Sequence, residues 1–321
     1  MTSQVQGAAF FDLDRTLLAG ASGEVFSKAM REAGLVSRHI PGENLLYKLF
    51  NTVGETLPSM ALARQAVTLA KGRSRATVQR AAEGAADALA AILNCKKGIV
   101  ICGMHGKTTT SAMAAHVLRE AGLNPGHYVG AEIPLLGTNA RWDAEGDYFV
   151  AEGDESDGTL VLYHPSHSIL LNVEEEHLDH YKNIDEINAV YGQLLDQTSG
   201  NSFYCAADAG SAAVCRGRER VISYGWDPAD DYSAQDLETT GQSTAFTVCR
   251  KGEALGRIIL NIPGRHNVLN ALGVASLATE LGVPFDQVAA ALSTFRGARR
   301  RFEVKLRSEE HTSELQSLTT I

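Results

Sequence analysis

The chain has 321 residues and a formal net charge of -9 at pH 7, with 44% hydrophobic and 21% charged residues. This length suits one large domain or two ordinary ones, and the acidic balance argues against nucleic acid as a partner. No segment is long and apolar enough to span a membrane, and the N-terminus does not resemble a signal peptide. The five cysteines form no C-x-x-C pair, which favours a reducing, cytoplasmic location over a disulfide framework.

The first predicted strand ends in FFDLDRTLL, where Asp12 and Asp14 are two residues apart. This spacing suits a nucleophilic and an acid/base carboxylate near Mg²⁺, but a polar turn after a strand explains it equally well. The longer stretch AAFFDLDRTLLAGASG resembles haloacid dehalogenase-type phosphatases of the phosphoserine-phosphatase-like subfamily, which implies that Asp12 is the nucleophile and Asp14 the acid/base. The resemblance ends near Leu89, without that family's later serine or threonine, lysine and acidic pair. We therefore expect residues 1–89 to be an incomplete α/β half-domain with a helical cap and no phosphatase activity.

Residues 90–305 alternate between strand-like and helix-like segments, which predicts an α/β domain with a mainly parallel sheet and helices on both faces. The strand-like segments are GIVIC, YFVAEGD, HSILLNV, SFYCA and VISYG. The helix-like segments are TTSAMAAHVLREAG, IDEINAVYGQLLDQ and NVLNALGVASLATELG. The stretch from Tyr232 to Gly264 is instead typical of a β-meander inserted before the last helices.

A glycine-rich turn joins the first strand of this domain to its first helix, in the sequence GIVICGMHGKTTT. Gly103 and Gly106 allow backbone N–H groups to face phosphate oxygens, Lys107 adds a positive charge, and the Thr108 hydroxyl can ligate Mg²⁺. Ile101 occupies the place of a further glycine in the full Walker pattern, so the match is the shorter G-x-x-G-K-T. The alternative is a glycine turn with an exposed lysine, but the flanking strand and helix favour a phosphate loop.

Two polar clusters follow two further strands of the predicted sheet. They comprise Glu152, Asp154, Glu155 and Asp157 in VAEGDESDG, and His177, Asp179 and His180 in NVEEEHLDHY. Taken singly, they are explained by a solvated acidic loop and a polar turn. Because the carboxyl ends of parallel strands meet at one edge of a sheet, the three groups together predict one crevice for Mg²⁺ and a nucleotide.

Five motifs occur in the order found in Mur ligases: GMHGKTTTSAM, VAEGDESDGTL, NVEEEHLDHY, GRHNVLNALG and FRGARRRFE. The chain resembles that family from about Ala90 to Lys305, and His105 and EGDESD favour its alanine-adding branch over the tripeptide-recycling branch. The resemblance implies small-molecule substrates, namely ATP, UDP-N-acetylmuramate and L-alanine, and no nucleic acid or membrane partner. The implied reaction is an ATP-dependent amide synthesis through an acyl phosphate in peptidoglycan assembly. The sequence does not indicate an oligomeric state.

The resemblance also implies roles for individual residues. The ATP phosphate loop would consist of Gly103, Met104, His105, Gly106, Lys107, Thr108 and Thr109. Lys107 would be catalytic, Thr108 and Glu152 would bind Mg²⁺, and His177 would hold a second metal beside the acyl phosphate. Asn270 would read adenine, Arg301 would lie near the nucleotide, and Asn139 would lie near the sugar substrate. Met104 departs from the family's usual threonine at a position where the backbone matters more than the side chain.

Mur ligases have three domains, and the first and third have no recognisable counterpart here. We therefore expect weak ATP binding and no ligase turnover, and alanine-dependent release of ADP would contradict this expectation. The segment RSEEHTSELQS, residues 307–317, resembles a translated sequencing adapter, so residues 306–321 are interpreted as a disordered tail. The chain is interpreted as a chimera whose best functional description is a Mur ligase. The alternatives are a Mg²⁺-dependent phosphohydrolase and an inactive ATP-binding fragment.

Overall fold

The computed structural model describes residues 89–131, 133–155, 159–176 and 181–297. Within these residues, ten strands form one sheet, in the order β10-β9-β8-β7-β6-β5-β1-β4-β2-β3. The strands are β1 (Lys97–Cys102), β2 (Gly126–Tyr128), β3 (Ala140–Arg141), β4 (Tyr148–Glu152), β5 (His167–Leu170), β6 (Ser202–Cys205), β7 (Val221–Gly225), β8 (Tyr232–Thr240), β9 (Ser243–Arg250) and β10 (Glu253–Leu260). The helices are α1 (Lys107–Glu120), α2 (Ile184–Gln197), α3 (Ala209–Cys215), α4 (Arg265–Glu280) and α5 (Phe285–Thr294), with a 3₁₀ helix at Thr159–Leu162.

The sheet is parallel over most of its width. Each neighbouring pair from β8 to β2 in the spatial order is parallel, while β9 and β10 continue antiparallel from β8, and β3 runs antiparallel to β2 at the opposite edge. The predicted α/β fold with a mainly parallel sheet is therefore confirmed, and the predicted meander extends the same sheet. Parallel strands joined by helices require layers on both faces.

The central strand β1 supplies both hydrophobic cores of the domain. After the exposed Lys97, its residues GIVIC form a continuous apolar run, and alternate side chains point to opposite faces of the sheet. Ile99 and Ile101 lie in one core, while Val100 and Cys102 lie in the other, and all four are fully buried. This burial on both sides fixes the position of the loop that follows Cys102.

The first core lies beneath α1, α4 and α5, which pack against one another on one face of the sheet. Close approach of α4 to the sheet depends on Gly273, because a Cβ atom there would lie 2.8 Å from the ring of Tyr224. His116 joins α1 to α5: its Nε2 lies 3.1 Å from the Ala291 carbonyl and 2.8 Å from the Thr294 hydroxyl. The helix that follows the glycine-rich loop is thereby joined to α5, in addition to its packing on the sheet.

The second core lies beneath α2, α3, the 3₁₀ helix and the helical residues 89–94. Helix α2 begins where the Asn183 side chain accepts a hydrogen bond from the backbone N–H of Glu186, a typical N-cap. Its buried residues Ile187, Tyr191 and Leu194 recur at three- and four-residue spacing and face the sheet. The predicted helix IDEINAVYGQLLDQ is confirmed at both ends.

Several residues singled out in the sequence lie outside the described part of the chain. They are Asp12 and Asp14 of the phosphatase-like stretch, Asp157, His177, Asp179 and His180 of the two polar clusters, Arg301, and the adapter-like segment 307–317. All five cysteines lie within the described residues and are free thiols. Among the helices of these residues, none combines the length and the apolar character needed to cross a membrane.

Candidate nucleotide-phosphate site

The loop between β1 and α1 has a backbone that only glycine accommodates at two positions. Gly103 has φ 128° and Gly106 has φ 88°, in the region that L-residues with a Cβ atom avoid. A Cβ atom at position 103 would lie 2.9 Å from the backbone nitrogen and oxygen of Asn172, and one at position 106 would lie 3.1 Å from the Asn270 side chain. Gly103 is therefore needed for conformation and for space, and Gly106 is needed for its conformation.

Asn172, the second residue after β5, holds the middle of this loop. Its Oδ1 accepts the backbone N–H of His105 at 2.7 Å, and its Nδ2 donates to the His105 carbonyl at 2.9 Å. Its own carbonyl accepts the N–H of Met104 at 3.3 Å. This residue was not predicted from the sequence, although an asparagine just past the end of a neighbouring strand was a signal that could have identified it.

Helix α1 presents a bare N-terminus to the loop. The first turn of any helix leaves backbone N–H groups without intrahelical partners, and the helix dipole places positive potential there. No side chain of the described residues caps this end, and the first turn, which begins with Lys107, Thr108 and Thr109, contains no acidic residue. Such an end favours an anion, which is the chemistry expected of a phosphate loop.

Thr108 lies against Glu152, the last residue of β4. The Thr108 hydroxyl donates to Oε1 of Glu152 at 3.0 Å, and the backbone N–H of Gly130 donates to Oε2 at 2.8 Å. Burial raises the pKa of Glu152, although these hydrogen bonds and the charge of Lys107 act in the opposite direction. A partly buried carboxylate beside a threonine hydroxyl is an oxygen pair of the kind that Mg²⁺ binds. The described residues therefore fit the metal that the sequence implied.

Lys107 is ion-paired with Glu155. Its Nζ lies 2.8 Å from both carboxylate oxygens of Glu155 and 4.0 Å from Oδ1 of Asp154. The lysine side chain is 15% exposed and that of Glu155 is 1% exposed. Burial by itself lowers the pKa of Lys107, but the charges of the carboxylates, Glu155 first, outweigh it and the pKa is raised. The lysine is thus a fixed positive charge, and its pairing with Glu155 was not predicted.

Asn270 is brought to the glycine-rich loop by helix α4. It is buried, its amide lies against Gly106, and its Nδ2 lies 3.3 Å from Oδ1 of Asn267. Asn267 in turn donates to the Pro263 carbonyl at 2.6 Å, which ties both amides to the start of the helix. The resemblance placed Asn270 beside a nucleotide, and its contact with the loop is compatible with that role.

The remaining sequence candidates lie around the same edge of the sheet. Asn139 is buried, and its carbonyl accepts the N–H of Val129, the residue before Gly130. The His105 side chain is exposed and faces Glu174 and Glu176, with Nε2 3.9 and 3.6 Å from their carboxylates. The described structure thus brings the seven loop residues, Glu152 and Asn270 together, with Asn139 nearby, while His177 and Arg301 lie outside the described residues.

A parallel sheet with a glycine-rich loop and a lysine at the start of the following helix defines an α/β protein of the phosphate-loop class. The family model of the Mur ligase middle domain matches residues 101–278, and the chain belongs to the Mur ligase family. The resemblance of residues 1–89 to phosphatases and that of residues 307–317 to an adapter stay predictions.

Individual proteins that are similar to this chain belong to the same kind of ligase. The chain is 37% identical over 228 residues to UDP-N-acetylmuramate–L-alanine ligase from Syntrophotalea carbinolica. The alignment covers 70% of this chain and 50% of the relative. The crystal structure of UDP-N-acetylmuramate-alanine ligase from Thermotoga maritima superposes with a TM-score of 0.62 at 27% identity, covering 70% of this chain and 51% of that one. A UDP-N-acetylmuramate:L-alanyl-gamma-D-glutamyl-meso-diaminopimelate ligase from Neisseria meningitides shares the fold, with a TM-score of 0.64 at 22% identity, covering 88% of this chain and 97% of that one. The chain spans about half the length of the curated relatives it matches.

Proposed function

We propose that this chain carries the ATP-binding domain of a peptidoglycan-precursor ligase that joins UDP-N-acetylmuramate to L-alanine. The observation that carries the proposal is the convergence of Lys107, Thr108 and Glu152 beside the glycine-rich loop. The assignment of these substrates is supported by the name of the relative that is 37% identical. The cytoplasmic location inferred from the cysteines agrees with a reaction that consumes ATP.

In this proposal, the chain's own groups bind and orient the triphosphate. The backbone N–H groups at the start of α1 donate to phosphate oxygens, and Lys107 neutralises part of their charge. Thr108 and Glu152 would hold Mg²⁺, which supplies further positive charge to the phosphate oxygens when it is bound. Asn172 keeps the loop backbone in position, so that these groups need little reorganisation when the nucleotide arrives.

The reaction requires two anions to meet, because the muramate carboxylate must attack the γ-phosphate. That attack forms an acyl phosphate and releases ADP, after which the amine of L-alanine displaces phosphate and forms the amide bond. Lys107 would reduce the repulsion in the first step, and the rigid loop would supply the positioning on which phosphoryl transfer mostly depends.

Four residues complete the proposal through the family resemblance. Asn270 would read adenine, in line with its place beside Gly106. Asn139 would contact the sugar substrate, in line with its place near Gly130 at the same edge of the sheet. His177 and Arg301 would hold a second metal and approach the nucleotide, respectively.

The test is a calorimetric titration of the full 321-residue chain with ADP in the presence of Mg²⁺. We expect binding to the wild type and at least about tenfold weaker binding to Lys107→Met, since a desolvated charge-assisted contact is typically worth over 1.4 kcal/mol. Equal binding to both proteins would contradict the proposal. L-alanine-dependent ADP release with UDP-N-acetylmuramate would establish the complete reaction, whereas dependence on a tripeptide would place the chain in the recycling branch.

A further inference from the structure

Glu155 uses both of its carboxylate oxygens on the lysine that the phosphate loop would offer to a nucleotide. Lys107 has three N–H donors, and Glu155 accepts from the ammonium group at 2.8 Å through each oxygen. These two contacts leave at most one of its donors for another anion, which would share the positive charge of Lys107 with Glu155. A phosphate group that approaches Lys107 therefore meets a carboxylate already in place.

The position of Glu155 is fixed by the fold. It lies three residues past the end of β4, it is completely buried, and the Tyr181 hydroxyl donates to its backbone carbonyl. The pKa of the neighbouring Tyr191 hydroxyl is raised by burial and then by the negative charge of Glu155. A buried carboxylate in such surroundings depends on its ion pair, because an unpaired charge there would be strongly disfavoured.

The carboxylates around Lys107 would repel a nucleotide that has no bound cation. Among the described residues, three carboxylates, those of Glu152, Asp154 and Glu155, influence the lysine, against its single ammonium group. Counting only the charged side chains of the described residues that act on Lys107, a triphosphate without a cation would therefore meet more negative than positive charge, beside a lysine that is already ion-paired. A divalent cation between Glu152 and the phosphates would remove most of this repulsion.

We propose that Glu155 is a positioning residue that competes with the nucleotide for Lys107, and that this competition makes nucleotide affinity depend on a divalent cation. The inference rests on the proposed function, since it concerns the same phosphate loop. Removing the charge of Glu155 should free the lysine and abolish a direct repulsion, so both effects tighten binding. The gain should be larger for metal-free nucleotide, because it carries more negative charge than the Mg²⁺ complex.

The experiment measures ADP binding to the full chain by calorimetry, once with Mg²⁺ and once with EDTA. We expect Glu155→Gln to bind metal-free ADP about tenfold more tightly than the wild type, and Mg²⁺-ADP only about twofold more tightly. Glutamine keeps an acceptor for Lys107 and nearly the same volume. The matched control is Asp154→Asn, which removes an equal charge at 4.0 Å from the same nitrogen but from a side chain that is 60% exposed. Solvent screening should limit its effect to less than about threefold.

A gap between the affinities with and without Mg²⁺ that is the same in Glu155→Gln as in the wild type would overturn the inference. Equal weakening under both conditions would overturn it too, because a merely structural role has that signature. If Glu155→Gln does not fold, Glu155→Asp is the variant to measure. Its shorter side chain loosens the ion pair with Lys107 and should reduce the difference between the ADP affinities with and without Mg²⁺ by a smaller factor. An unchanged difference would contradict the inference. If the wild type binds Mg²⁺-ADP and only the variants disagree, the inference alone fails. If the wild type binds no nucleotide at all, the proposed function fails with it.

Discussion

Glycine serves two different purposes in two regions of the molecule. One region is the edge of the sheet where β1, β4 and β5 end, and the other is the antiparallel meander β8–β10. Gly103 in the first region and Gly252 in the second both have positive φ, 128° and 82°. A Cβ atom at Gly103 would lie 2.9 Å from backbone atoms of Asn172, whereas one at Gly252 would meet nothing within 4 Å. The turn of the meander requires glycine only for its positive φ. The glycine-rich loop requires it both for a positive φ and for the close approach of the Asn172 backbone.

The two regions also differ in how their strands are buried. Five of the six residues of β1 are buried, while β10 at the sheet edge is buried at two of its eight positions. A loop that begins at a strand fixed on both faces can hold its backbone groups in place for a ligand. The comparison teaches that the strand leading into the glycine-rich loop is buried along nearly its whole length, whereas the edge strand of the meander is buried at only a few positions.

The largest expected effect is that of Gly103→Ala compared with Gly252→Ala. We expect the first to reduce the free energy of unfolding by about 3 kcal/mol, because strain and a backbone clash coincide, and the second by about 1 kcal/mol through strain alone. Urea unfolding followed by circular dichroism measures both. Equal losses would remove the distinction between the two regions.

The next effect concerns two asparagines that each make two side-chain hydrogen bonds. Asn172 holds the His105 backbone, while Asn261, just after β10, accepts from Ser243 and donates to the Ser293 carbonyl. We expect either change to alanine to cost about 1–2 kcal/mol of unfolding free energy. Only Asn172→Ala should also weaken binding of Mg²⁺-ADP, because it loosens the loop. A loss of affinity in Asn261→Ala would show that the meander contributes to the site.

A smaller effect is expected at His116, which links α1, the helix after the glycine-rich loop, to α5, the helix that packs on β10 of the meander. Burial lowers the pKa of His116 below its ordinary 6.5, more than Glu120 raises it. The unfolded chain therefore takes up the proton at a higher pH than the folded chain. The contribution of neutral His116 to the free energy of unfolding is complete above pH 6.5 and is lost as the pH falls through the lowered pKa. We expect the unfolding free energy of His116→Gln to depend less on pH below 6.5.

The control for this measurement is His164→Gln, at an exposed position. Its unfolding free energy should follow the wild-type pH dependence. If His116→Gln and the wild type have the same slope below pH 6.5, the buried imidazole is not what links stability to pH in this range.

The smallest effect is expected within β10 itself. Ile258 is fully buried and Ile259, its neighbour on the opposite face, is 52% exposed. Truncation to valine should cost about 1 kcal/mol at Ile258 and less than about 0.5 kcal/mol at Ile259. Chemical unfolding of both variants measures the difference, and a large loss at Ile259 would mean that this edge of the meander is covered in solution.

Sequence patterns identified the elements with a strong period. The apolar run of β1, the glycine turn and the helix after it were predicted because strand, turn and helix signals agree along a short stretch. Strands β2 and β3 were missed, since their three and two residues are too short for an alternating pattern. Helices α3 and α5 were missed as well, and α3 spans only seven residues.

Contacts between distant residues could not be derived in the same way. Asn172 and His105 are 67 positions apart, and Lys107 and Glu155 are 48 apart. The acidic stretch VAEGDESDG contains four carboxylates of like charge, and the sequence does not say which one turns inward. The backbone after β4 decides that Glu155 is buried while Asp154 stays exposed. Only the family resemblance implied a role for Asn270 beside a nucleotide, and spacing alone does not predict its contact with Gly106.

The most direct test of the account is hydrogen–deuterium exchange of the full chain with and without Mg²⁺-ADP. We expect the ligand to slow exchange in peptides that cover residues 103–109 and to leave residues 232–260 of the meander unchanged. This result would place the nucleotide phosphates at the rigid loop. Slowed exchange confined to the meander, or no change in either region under saturating Mg²⁺-ADP, would contradict the account.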